Sequence, residues 1–235
     1  MMNKTLFSAL NSYLKSMIAL VLTAFICSCT PGKSVEQYQA TVVSAQTGVR
    51  EIKSDCLKVE DLPASITYKG KPVKIRSWKD KLGDNLLLLT ETGEFGSKDS
   101  LEYPDNRDAE LYAYHFTKNG TTWKLIATVN DHIGSCPVDI VTSFIPEALF
   151  ITDLDGNGVA ECTFAYLLTC TGGVDNKVMK LIMLENKNKY IIRGTTTVHV
   201  GETIPGTMKD EAGIPERFKV FMIAKWKVFE TEKSQ

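Results

Sequence analysis

The sequence predicts a mainly β protein: antiparallel hairpins arranged as a sheet sandwich or a partial propeller-like array, with one C-terminal helix. Three observations carry this. Between residues 65 and 194, short runs rich in β-branched and aromatic residues alternate with Gly-, Asn- and Pro-containing breaks. Asn119-Gly120 and Asp155-Gly156-Asn157-Gly158 supply residue pairs that tight turns favour, because both types tolerate positive φ. Only residues 215–229 place apolar side chains at helical spacing, behind a Pro-Glu start, although their apolar density also fits a strand.

The chain opens with Lys4, Lys15 and no acid over residues 1–28. An apolar segment follows at 17–26, too short to span a bilayer comfortably and laid out as a secretory signal. It ends Ile26-Cys27-Ser28-Cys29. An aliphatic residue at −3 and a small one at −1 before Cys29 resemble the bacterial lipobox; Cys27 lacks that context. The resemblance implies a lipid-anchored protein of the cell envelope. Thr30 after the cysteine leaves no acidic inner-membrane retention signal, which favours the outer membrane. Several acyl chains at roughly 0.8 kcal/mol per buried CH₂ would anchor it firmly. Residues 29–50 read as a polar tether, and 51–235 as a single mainly-β domain. The net charge of −1, with no basic stripe, gives no sign of a nucleic-acid partner.

Within the domain, residues 65–68 and 72–78 read as a hairpin turning at Lys69-Gly70, and 86–90 as a strand buried on both faces. Residues 91–107 read as a loop whose acids are solvated. Residues 110–117 and 122–129 form the clearest hairpin. Tyr112, Tyr114 and Phe116 fall on one face, and Leu111, Ala113 and His115 on the other. That aromatic row is read as a packed sheet face rather than a sugar platform. A strand at 138–144 precedes the loop described next, and 178–184 with 190–194 make a last pair around a turn at 186–189.

The most informative stretch is Asp153-Leu-Asp-Gly-Asn-Gly-Val-Ala-Glu161. Oxygen side chains at its first, third, fifth and ninth positions suit a hard cation such as Ca²⁺, which takes six to eight oxygen ligands. Asp153, Asp155, Asn157 and Glu161 would supply side-chain oxygens and Val159 a backbone carbonyl. An EF-hand is excluded, since its twelfth position here is Phe164. The pattern resembles the calcium hairpin loops of integrin-like propeller repeats, although one copy cannot make a propeller. The competing reading is a plain turn, but a turn needs no acids at both 153 and 161.

Four cysteines remain in the domain, and an exported protein with an even count points to disulfides. Residues 162 and 170, on one extended strand, would lie about 26 Å apart at roughly 3.3 Å per residue, against about 7 Å for a disulfide. Cys136–Cys170 is the favoured pair, with Cys56 and Cys162 left open. The sequence contains no Gly-x-Ser-x-Gly elbow, His-Glu-x-x-His or phosphate loop. His115, His132 and His199 are scattered.

Taken together, Cys136-Pro-Val-Asp139, the loop, Met179-Lys-Leu-Ile-Met183 and Lys189-Tyr-Ile-Ile-Arg-Gly194 resemble a flavobacterial-type family of secreted proteins labelled surface polysaccharide biosynthesis proteins. The resemblance covers about residues 78–230. It departs at Cys170-Thr-Gly-Gly-Val-Asp-Asn176, where the family shows Cys-x-x-Asp-Val-Ser-Pro. It implies a glycan or protein partner at the cell surface and a tie to surface polysaccharide, as a binding part or as an enzyme or accessory factor. It assigns no catalytic residue.

Overall fold

The computed structural model describes residues 49–98 and 105–232. The signal segment, Cys29, the tether up to residue 48, and Asp99 and Glu102 lie outside the described residues. All described residues belong to one unit, Val43–Gln235.

In chain order the strands are β1 (Arg50–Glu51), β2 (Ser54–Cys56), β3 (Lys71–Asp80), β4 (Gly83–Gly96), β5 (Arg107–Asn119), β6 (Thr122–Cys136), β7 (Asp139–Phe144), β8 (Phe150–Asp153), β9 (Glu161–Thr171), β10 (Val178–Glu185), β11 (Asn188–Thr195), β12 (Val198–Val200), β13 (Glu202–Ile204) and β14 (Thr207–Asp210). Helix α1 spans Glu216–Phe229. β2 to β6 make a five-stranded antiparallel meander in chain order. The second sheet runs β1-β8-β9-β10-β11-β14, and β7 joins it on β9. β8 and β7 lie end to end along β9, pairing residues 161–163 and 166–171 respectively. β12 and β13 form a separate hairpin.

The two sheets pack face to face, and strand alternation decides what meets in between. Leu87, Leu89, Leu111, Ala113 and Val129 of the meander pack with Phe144, Cys162, Phe164, Tyr166, Ile182 and Ile191 of the larger sheet. The opposite face of the larger sheet, with Ala165, Met179, Leu181, Met183 and Ile192, is covered by Phe218, Phe221, Met222 and Trp226 of α1. Their spacing puts all four on one side of the helix. The larger sheet is therefore apolar on both faces, while each strand still alternates between its two layers.

The outer face of the meander carries Ile75, Leu86, Leu88, Tyr112, Tyr114 and Phe116. The irregular segment at 57–68 covers it with Leu57, Leu62, Ile66 and Tyr68. This explains the four consecutive buried leucines: 86 and 88 face the cover, 87 and 89 face the other sheet. It also makes the tyrosine row a packed face.

Three expectations need correction. Residues 65–68 are not a strand but part of that cover; their apolar side chains pack without a pairing partner. Residues 91–107 are not wholly loop. β4 runs on to Gly96 and β5 begins at Arg107, pairing across a bulge between Glu91 and Glu94. Polar side chains are tolerated there because this part of the hairpin is largely exposed. The tether's last residue, Arg50, is already in β1, opposite Asp153. The expected C-terminal helix is present, with Pro215 as its N-cap and Glu216 in its first turn. Cys136 and Cys170 are bonded, with Cα atoms 5.8 Å apart. Cys56 and Cys162 are free thiols, the first exposed and the second buried.

Candidate metal centre

The loop at 153–161 is closed by its own strands. β8 ends at Asp153, β9 begins at Glu161, and Thr152 faces Glu161 across the ladder. Gly156 and Gly158 take φ of +76° and +84°. There a Cβ would be strained, so glycine permits the tight curl. The curl brings Asp153, Asp155 and Glu161 together, with one carboxylate oxygen from each within 4.8 Å of the others. Asp153 and Glu161 are buried and Asp155 is exposed.

Glu161 is the unusual member. It is fully buried. Its Oε2 accepts hydrogen bonds from Thr152 Oγ1 and from the Leu154 N–H, both at 2.9 Å. Its Oε1 is buried and accepts none. Burial pushes its carboxyl up to about 7, with the Leu154 and Thr152 hydrogen bonds pulling the other way. A buried oxygen without a partner costs about 1–3 kcal/mol, and more on a charged group. Three converging carboxylates add mutual repulsion. A divalent cation removes both penalties.

The other two residues expected at the site have a different setting. Asn157 Oδ1 accepts from the Val159 N–H at 2.6 Å. Its Nδ2 donates to Asp155 Oδ2 at 2.9 Å and to Glu185 Oε1 at 2.7 Å. Asn157 thereby orients Asp155 and ties the loop to β10, where Glu185 lies opposite Glu161. Sequence spacing gave no hint of Glu185, which arrives through strand pairing.

Both flanking layers hold the loop's backbone. From the meander, the Lys81 N–H donates to the Gly158 carbonyl at 2.8 Å, and Asp80 Oδ2 accepts from the Ala160 N–H at 2.9 Å. From the helix, Arg217 Nη1 donates to the Leu154 carbonyl at 2.8 Å. An open groove of about 790 Å³ flanks the Asp80 turn, lined in part by Glu51, Trp78, Lys79, Asp84, Asn85 and Trp123.

Elsewhere, Asp131, His132 and Cys136 make no thiol–base pair. Cys136 is in the disulfide, and Asp131 accepts from Tyr166 Oη and Lys180 Nζ. His115 is buried against Trp78, and His199 Nδ1 sits 2.8 Å from Thr203 Oγ1. Among the described residues, Asp153, Asp155 and Glu161 are the one cluster of three or more His, Cys, Asp or Glu side chains converging as metal ligands could. Comparison with family models, curated proteins and solved structures finds no match to this chain.

Proposed function

We propose that this chain is a lipid-anchored protein of the bacterial cell envelope whose β domain is stabilised by Ca²⁺ bound at the 153–161 loop. Its role is binding or structural at the cell surface. The observation that carries the cation is the buried, unpartnered Oε1 of Glu161 beside two further carboxylates. Oxygen-only donors favour a hard cation over zinc or copper. Asp153, Asp155 and Glu161 are the ligands proposed first, with the Val159 carbonyl and water completing the shell. The envelope location is supported by the signal-like start and the lipobox resemblance at Cys29. A surface glycan or an envelope protein is the proposed partner, and the tie to surface polysaccharide rests on sequence resemblance alone.

The test is thermal melting of the full-length chain in EDTA and in Ca²⁺, beside Asp153→Ala. Calcium at 100 times its Kd adds about 2.7 kcal/mol, a rise of about 5–10 °C for a domain of this size. The rise should vanish in Asp153→Ala. Equal melting of the wild type in EDTA and in calcium would remove the metal reading. For the process, a deletion strain with unaltered surface glycan would remove the polysaccharide link.

A further inference from the structure

One of the contacts that hold the loop's backbone, at Ala160, comes from a residue 80 positions earlier in the chain. Asp80, at the end of β3, accepts four hydrogen bonds. Its Oδ1 takes the Leu82 N–H at 2.8 Å and Asn85 Nδ2 at 2.9 Å. Its Oδ2 takes Trp78 Nε1 at 3.2 Å and the Ala160 N–H at 2.9 Å. The first three fix the carboxylate on the meander. The fourth hands that rigidity to the residue immediately before Glu161. Next to it, the Lys81 N–H fixes the Gly158 carbonyl. The turn after β3 therefore clamps the loop at both 158 and 160, on either side of the expected Val159 carbonyl ligand.

Strand alternation makes this clamp matter. Ala160 belongs to the inter-sheet core, whereas Glu161 shares the helix-side face of Ala165. Holding Ala160 against the meander forces the next side chain to the other face, toward Asp153 and Asp155. We infer that Asp80 is a positioning residue of the cation site: through the Ala160 N–H it sets the convergence of Glu161 on Asp153 and Asp155, and with it the affinity for the cation. This rests on the cation reading above.

An asparagine at 80 has Asp80's shape but only one acceptor oxygen. Whichever way its amide lies, an NH₂ group faces N–H donors that the carboxylate accepts. Outer residues that orient metal ligands typically contribute about 10–100-fold to affinity. Calorimetric titration of the full-length chain with Ca²⁺ is therefore expected to show Kd at least about tenfold weaker in Asp80→Asn. A role confined to closing its own turn would lower stability yet leave Kd unchanged in the folded protein. Ile75→Val, a core change remote from the loop, supplies that comparison and should bind as the wild type does. Luminescence lifetimes of bound Tb³⁺ in H₂O and D₂O count waters on the ion, and Asp80→Asn should show more than the wild type. If Asp80→Asn does not fold, Trp78→Phe removes one donor from Oδ2 and should weaken Kd about threefold, as one hydrogen bond would. Wild-type binding with unchanged Kd in whichever variant folds overturns the positioning role alone. No binding of Ca²⁺ or Tb³⁺ by the wild type overturns both readings.

Discussion

Replacing Glu161 by Gln should reverse its effect with the metal. In the cation-free protein, burial holds the Glu161 carboxyl at about 7 against an ordinary 4.5. Its folded-state value is raised and the group is an acid, so the native state binds the extra proton. Stability is thus highest below about 4.5 and falls as pH rises through about 7. At about 1.4 kcal/mol per pH unit, that displacement amounts to about 3 kcal/mol by pH 8. Gln is isosteric and uncharged. Its oxygen can keep the hydrogen bonds from Thr152 and Leu154, while its NH₂ meets Asp153 and Asp155 as a donor. Without cation at pH 8, Glu161→Gln should therefore be more stable than the wild type by about 1–3 kcal/mol, after allowance for imperfect amide contacts. In saturating Ca²⁺ the order should invert, because only the wild type gains the binding free energy. Urea denaturation at pH 8, in EDTA and in calcium, reads both halves. A variant less stable than the wild type in EDTA would refute the claim that this carboxylate is strained without a cation. A variant that still gains stability from calcium would refute its role as a ligand.

The disulfide and the core give further tests. His115 is buried against Trp78 with Nε2 3.2 Å from Asn85 Oδ1, and burial lowers its pKa from 6.5 to about 4. The unfolded chain binds that proton first, so stability is full above about 6.5 and falls by about 3 kcal/mol as pH drops to about 4. His115→Gln should flatten that limb of a pH series of denaturation curves. Reducing the Cys136–Cys170 bond, which closes a 34-residue separation, should cost about 2–4 kcal/mol in urea titrations with and without a phosphine reductant. Leu87→Ala empties a fully buried position between the sheets and should cost about 2–5 kcal/mol by the same measurement, leaving calcium affinity unchanged in the folded protein.

Much of this fold is written locally. Alternation fixed which face the core residues of β5 take, because strand period depends on neighbouring residues. The turn falls one residue later than the Asn119-Gly120 pair suggested, with Asn119 still paired to Thr122 and Gly120 alone at positive φ, +60°. Strand length excluded Cys162–Cys170, but it did not choose between the remaining pairings, and the structure joins the favoured pair, Cys136 and Cys170. The trio Asp153, Asp155 and Glu161 was readable for the same reason, since one nine-residue loop carries all three. What the sequence left open depends on partners far along the chain. Residues 65–68 look like a strand by composition, but only the packed sandwich shows them as a lid over Leu86, Leu88 and the tyrosine row. Residues 91–96 look like a loop, but cross-strand pairing with β5 extends them. Asn157 has a ligand's chemistry and spacing, yet its amide serves the Val159 N–H, Asp155 and Glu185. Asp80, Glu185 and Arg217 reach the loop from three separate elements, and no local pattern marks them. Periodicity and turn chemistry are properties of adjacent residues. The grip on the loop is a property of how two sheets and a helix close on one another, and only the tertiary structure decides it.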